Sequence, residues 1–249
     1  MKVWGALIQP PSLDRALAAW LLNAGLMGRA EKAFFERTIR PGHRVLDVGA
    51  NQGIFSLLFS RLVGPTGHVV SVEPEPTLFA ALDRHCRLNG ADNVTRLQMA
   101  AGDIRAEGAL RRSRFNGGDN RVTHAGDTTA ITVPIVPLDE ALPTETADLI
   151  KIDVQGYEVR ALHGMRALID RSPCVRVFFE YWPEGLAHDG RTGAELIQFF
   201  LHRGFSLSEV TKAGAVPLDD ADVERVKMMG GRRYINLLAH REGVDHVGR

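Results

Sequence analysis

From Arg44 onward, apolar runs of strand length alternate with runs of helical spacing, and this alternation limits the fold more than any other feature of the chain. "RVLDV", "HVVSVEP", "NVTRLQMAA", "ADLIKIDV", "CVRVFFEYW" and "RYINLLAHR" read as strands. "IFSLLFSRLV", "TLFAALDRHCRLNG", "YEVRALHGMRALI" and "GAELIQFFLHRG" read as helices. Strands that alternate with helices imply right-handed crossovers, hence an α/β, doubly wound, mainly parallel sheet covered on both faces. No internal repeat or low-complexity tract interrupts the pattern.

Two regions depart from it. Residues 1–40 read as an N-terminal helical extension packed on a main domain of residues 41–249. Ser12 is placed to cap a helix through Leu13, Leu17, Trp20, Leu21 and Ala24, and a second helical piece runs from Ala30 to Ile39. Residues 104–132 contain "RRSRFNGGDNRVTHAGDTT", long, polar and glycine-rich. Such a stretch is either a functional loop, its Arg111, Arg112, Arg114 and Arg121 holding an anionic substrate, or a solvated loop or short hairpin.

The totals narrow the partners. Lys plus Arg is 30 and Asp plus Glu is 30, so no net field draws the chain to nucleic acid or to a membrane surface. No stretch reaches the ~18 apolar residues of a membrane span. Cys86 and Cys174 form no motif, and the histidines share no ligand spacing, so no disulfide framework or metal site is expected. The apolar run Val3 to Ile8 is broken by Gly5 and stopped by Pro10-Pro11, unlike a secretory signal. A soluble, cytoplasmic protein is the expectation.

The first strand runs into "DVGANQG", residues 47–53. A strand, a glycine turn and a helix start form a cofactor site at the carboxyl ends of an α/β sheet. Gly49 and Gly53 permit the turn, and Gly49 lets a ligand approach the backbone. A dinucleotide site would carry G-x-G-x-x-G for a pyrophosphate; this turn reads D-x-G-x-N-x-G. Asp47 and Asn51 beside it suit a cationic ligand such as S-adenosylmethionine, with Asp47 on the amino-acid end directly or through a water. Glu73, 22 positions after Asn51 (73 − 51), ends the second strand where a ribose would offer two hydroxyls. Asp103, after the third strand, is placed for the adenine amino group or is a simple turn aspartate.

In their order, "DVGANQG", "VEPEP", "AAGD", "VPLDEAL" and "LIKIDVQGYEVRALHG" resemble the FkbM-type methyltransferases. The resemblance implies a Rossmann-like class I methyltransferase with a seven-stranded sheet whose last strand is antiparallel. It implies S-adenosylmethionine as donor, and usually O-methylation of a hydroxyl on a sugar or natural product. Gln155 stands where the family commonly has Glu. That departure gives footing to an alternative, a non-catalytic cofactor-binding partner protein of the same fold.

The candidate catalytic residues gather around "KIDVQGYE". Asp153 binds the donor's ammonium, orients the acceptor or acts as base; alternatively its carboxylate only braces the turn at Gly156. Lys151 sits mid-strand on the same face as Asp153. It either pairs with Glu180 of the next strand or serves as a base with a lowered pKa. Glu158 fits the first turn of a helix on dipole grounds alone. Tyr181 and Trp182 either stack on a substrate ring or pack the core, and His188 either lines an acceptor pocket or is exposed.

Overall fold

The computed structural model describes residues 2–9, 28–112, 120–123, 130–231 and 233–241. The helix expected from Ser12 lies outside these residues, as do Arg114 and most of the glycine-rich tract.

The front of the chain is only partly helical. β1 (Lys2–Val3) and β2 (Ala6–Leu7) make a small antiparallel hairpin around Trp4 and Gly5, both at positive φ. α1 (Arg29–Thr38) then matches the helical piece read from Ala30. Its adjacent Phe34 and Phe35 both face inward. The Phe35 ring meets Phe59 at 4.8 Å and Phe178 at 4.9 Å, both edge-on.

Next come β3 (Arg44–Val48), α2 (Ile54–Val63), β4 (His68–Val72), α3 (Pro76–Leu88) and β5 (Val94–Leu97). Local chemistry sets the ends of α3. Glu75 accepts a 2.6 Å bond from the Leu78 amide, Pro76 occupies the first turn, and Gly90 at φ 59 follows the end. β6 (Ala100–Ala101), β7 (Ala106–Arg111), β8 (Arg121–Thr123) and β9 (Ile131–Val136) follow, then α4 (Leu138–Ala141) and β10 (Leu149–Ile152). α5 (Glu158–His163) and α6 (Arg166–Asp170) lead to β11 (Arg176–Tyr181). α7 (Pro183–His188), α8 (Gly193–Leu201), β12 (Ser206–Thr211), β13 (Gly214–Pro217), α9 (Asp220–Lys227) and β14 (Ile235–His240) complete the order. A capping box between Thr192 and Glu195 starts α8.

The main sheet runs β13-β12-β14-β11-β10-β3-β4-β5. From β5 to β11 all neighbours are parallel, and β14 is antiparallel to both β11 and β12. This is the expected class I sheet with its last strand reversed, extended at one edge by β13. Alternate residues feed two cores. Leu46, Val48, Ile150 and Ile152 face one side with α5, α6 and α8. Val45, Val69, Leu149 and Phe178 face the other with α1, α2 and α3.

The tract "NVTRLQMAA" is not the single third strand expected. Its first half, β5, stays in the main sheet, while β6 leaves to join a second sheet of order β6-β9-β7-β8. β7, β8 and β9 therefore turn much of residues 104–132 into a small antiparallel platform. Leu110, Val133, Ile135 and Tyr157 close its core.

The phenylalanine cluster is what docks α1 on the sheet. Phe35→Ala is expected to lower unfolding stability by about 3–5 kcal/mol, the cost of emptying a buried aromatic site. Urea denaturation measures it, and a loss below about 1 kcal/mol would show that α1 is held by something else.

Candidate active site

The carboxyl ends of β3, β4, β10 and β11 open into a cleft of about 660 Å³. It lies where the strand order reverses, since β4 and β5 follow β3 outward on one side while β10 and β11 extend the other.

At the turn after β3, every backbone amide from residue 49 to 53 is already used. Gly49 N and Ala50 N donate to the Val72 carbonyl at 3.0 and 2.9 Å, and Gly53 N donates to the Ala50 carbonyl at 2.9 Å. Asn51 N donates to Glu73 Oε2 and Gln52 N to Asn51 Oδ1, each at 2.8 Å. These amides leave nothing to cradle a phosphate. Gly49, at φ 83, is required for a reason the sequence does not show: a Cβ there would overlap the Asp153 carbonyl oxygen. Its bare face is therefore taken by β10's exit rather than by a ligand, although Gly49 still lines the cleft. Gly53 does not line it; a Cβ there would overlap the Leu82 side chain.

Glu73 lines the cleft with only 5% of its surface exposed. Oε1 accepts from Glu75 N at 2.9 Å, and Oε2 accepts from Asn51 N. Burial pushes its carboxyl up to about 7, although those backbone bonds pull the other way. Gln52 is a lining residue that sequence reading missed. It is 1% exposed, and neither atom of its side-chain amide has a hydrogen-bond partner among the described residues.

Asp47 is fully buried and does not line the cleft, so a direct bond to a ligand is corrected. Its Oδ2 accepts a 2.6 Å bond from Ser56 Oγ, and its Oδ1 lies 3.4 Å from Lys151 Nζ. Parallel register explains the pairing, because Lys151 stands directly beside Asp47 on one side and Phe178 on the other. Glu180 is two residues beyond Phe178, one pleat too far, and so is not the ion-pair partner expected for Lys151. The ammonium lies 3.5 Å from Asp153 instead and 5.2 Å from the Phe55 ring centre. Burial pulls its pKa down, but Asp153 and Asp47 together raise it by more. The net shift is upward, which overturns the reading of a lysine with a lowered pKa.

Asp153 is partly exposed and lines the cleft with Glu180. Gln155 joins the two: its Nε2 donates to Asp153 Oδ1 at 2.8 Å and to Glu180 Oε2 at 3.4 Å. Burial first, then the negative charges of Asp153 and Glu158, push Glu180 up to about 8. The turn at Gly156 is braced by Glu158 rather than Asp153. Glu158 Oε1 accepts from Val154 N at 3.2 Å and from Gly156 N at 3.1 Å. Asp153 is thereby left facing the cleft.

Asp103 does not line the cleft. It follows β6 into the second sheet, where its carboxylate lies 3.3–3.4 Å from Arg160 Nη1. Met99, Ala100 and Ala101, with Leu110 and Val122 of the platform, form that wall instead. Tyr181 is packing, its hydroxyl donating to the Val226 carbonyl at 2.8 Å. His188 is exposed and does not itself line the cleft, its ring lying 6.3 Å from that of Trp182. Trp182 does line the cleft, under the Arg121 guanidinium at 4.5 Å. Arg112 is spent on an ion pair with Glu75.

Residues 47–207 match the Methyltransferase FkbM domain model. The chain belongs to the FkbM methyltransferase family. Members of this family use S-adenosylmethionine as methyl donor. A segment of 81 residues is 35% identical to arsenite methyltransferase of Halobacterium salinarum, over 32% of this chain and 20% of that protein. A segment of 63 residues is 35% identical to protein-L-isoaspartate O-methyltransferase of Methanopyrus kandleri, over 25% and 28% respectively. The chain thus spans under a third of the length of these curated relatives. Among solved structures it is similar to an S-adenosylmethionine-dependent O-methyltransferase from Thermotoga maritima, with TM-score 0.51 and 13% identity over 93% of this chain and 71% of that one. It is equally similar to precorrin-6y C5,15-methyltransferase from Geobacter metallireducens, with TM-score 0.51 and 11% identity over 86% and 87%. At such identities the likeness shows the fold, that of class I methyltransferases.

The FkbM cleft fits a cationic adenosyl donor. Its size suits a small molecule, Asp153 and the buried carboxyl groups of Glu73 and Glu180 line it, and its turn amides are committed.

Two tests follow from this geometry. Gly49→Ala, which forces a side chain against backbone at positive φ, is expected to cost more than about 3 kcal/mol, read by chemical denaturation. The second concerns Glu158, 2% exposed, whose carboxyl burial pushes up to about 7 from an ordinary 4.5. Because the folded value is raised, the native state keeps a proton that the unfolded chain releases in this window. Stability from this group is complete below pH 4.5 and falls as pH climbs towards 7. Glu158→Gln, which has no proton to lose, is expected to match wild type at pH 4.5 and exceed it at pH 8 by on the order of 3 kcal/mol. Equal stability at both pH values would contradict this account of Glu158.

Proposed function

We propose that this protein transfers the methyl group of S-adenosylmethionine to a hydroxyl of a sugar or small natural product. One observation carries the reading: Gln155 joins two carboxylates, Asp153 and Glu180, inside the cleft that also contains Glu73 and the glycine turn.

When bound, the donor supplies a methyl carbon already activated by its sulfonium. The chain's own groups must then align the acceptor, exclude water and receive the hydroxyl proton. Glu73 binds the ribose hydroxyls, since each of its oxygens carries one backbone bond and retains a lone pair. Lys151 stays charged and positions Asp153, with Asp47 holding the lysine from below. Asp153 orients the acceptor hydroxyl and Glu180 takes its proton. A carboxyl pushed up to about 8 is better matched to that task than an ordinary one. Gln155 favours an active enzyme over a non-catalytic partner, because its amide donates to both carboxylates where a glutamate would repel them.

The test is incubation of a cell extract with the pure protein and isotopically labelled donor, with mass spectrometry to find the labelled product. Asp153→Asn and Glu180→Gln are each expected to lower kcat by roughly 10²–10⁴-fold while donor affinity stays within a few-fold. The wild-type rate should rise with pH through about 8, and that rise should vanish in Glu180→Gln. Donor binding with no labelled product in any extract fraction, or full activity in the double variant, would refute the proposal.

A further inference from the structure

We infer that the methyl acceptor carries an acidic group, a carboxylate, sulfate or phosphate, and that Arg121 receives it. The inference rests on the methyl-transfer reading of the same cleft and names the class of acceptor.

Lys151 and Arg121 are the cations among the described lining residues. Their situations differ. Lys151 is shared between Asp47 and Asp153, so its charge is balanced within the protein. Arg121 has no carboxylate within ion-pair distance among the described residues, and its Nε is shut away from solvent without an acceptor. The β7–β8 register makes the imbalance worse. Arg111 stands directly opposite Arg121, and like charges in that position destabilise a strand pair. An oxyanion beside Arg121 relieves both the unmatched charge and the repulsion.

The geometry also fixes how the group is read. The Arg121 guanidinium lies over the Trp182 ring at 4.5 Å. A guanidinium laid on an indole is held as a plane, and its N–H groups project from the edge of that plane in the fork that matches two oxygens of one anion. Trp182 is two residues beyond Glu180, so the anion site lies next to the proposed base. Glu180 does not oppose it strongly, since its carboxyl is pushed up to about 8 by burial and by the charges of Asp153 and Glu158. An acceptor anchored at Arg121 by its acidic group would present a neighbouring hydroxyl to Asp153 and Glu180.

Two measurements test this. In the first, the labelled product from the extract experiment is passed over an anion-exchange resin at neutral pH. An acidic product, retained until eluted with salt, is the expected result, and a neutral product in the flow-through would overturn the inference. Arg121→Gln should raise KM for the purified acceptor at least tenfold, with kcat and donor affinity within a few-fold, and Arg121→Lys should fall between. An unchanged KM in Arg121→Gln would also overturn it. The second measurement needs no acceptor. Protein saturated with S-adenosylhomocysteine is titrated with sodium sulfate against sodium chloride at matched ionic strength, following tryptophan fluorescence. A saturable sulfate-specific change in wild type that is lost in Arg121→Gln supports the site, and identical responses to the two salts count against it. Failure to bind S-adenosylhomocysteine at all would instead strike the methyl-transfer reading.

Discussion

The strands β3 and β10 leave the sheet so close together that no side chain fits between Gly49 and the carbonyl of Asp153. The site depends on this contact. It brings the glycine turn and the "KIDVQGYE" segment to one place, although about a hundred residues separate them in sequence. The same parallel register sets Asp47 beside Lys151 and carries Asp153 out over the cleft floor. A bulkier residue at position 49 would part the two strand ends, and with them the donor turn and the acid cluster. The glycine thus acts through packing, with the ligand benefiting at one remove.

Beneath the cleft lies a charge arrangement that would be costly if any member were removed. Asp47 is wholly buried and Lys151 nearly so. Two charges in such a place repay their desolvation only through good geometry and further hydrogen bonds, here Ser56 on Asp47 and Asp153 on Lys151. Their separation of 3.4 Å is an ion-pair distance rather than a short hydrogen bond, so packed apolar residues could be as stable. What the pair contributes is position: a fixed ammonium that holds Asp153 at the mouth of β10.

Much of this was legible in sequence where strands are buried on both faces. "RVLDV" and "LIKI" read as near-continuous apolar runs, and the two polar residues within them, Asp47 and Lys151, stood out for that reason. Their mutual pairing did not, because it depends on the offset between strands that lie far apart in the chain. Asp103 was misplaced for a related reason. The strand "NVTRLQMAA" breaks after Leu97, and its second half pairs with Ile135 and Val136, a partner that local pattern does not announce. The platform strand that supplies this partner, "ITVPIV", contains Pro134, which normally argues against a strand; here it sits opposite Glu107 in a short antiparallel pair. The β12–β13 hairpin went unread because β13 is short and mostly exposed, and polar residues break the apolar run of β12.

Gln155 shows how a departure from a family pattern can make sense in its own setting. It adopts φ 54, a conformation that is uncommon for a residue with a side chain and persists only when its surroundings enforce it. Glu158 enforces it by accepting from the amides of Val154 and Gly156, and the Gly185 carbonyl closes the other side of Gly156. The backbone therefore aims the side chain at Asp153 and Glu180 whatever its chemistry. With Glu158 already close, a carboxylate at 155 would add a further negative charge to a buried cluster served by one lysine. An amide places two donors there instead and lets both carboxylates remain near each other. In this chain the exchange removes a candidate base and in return steadies the two acids that remain.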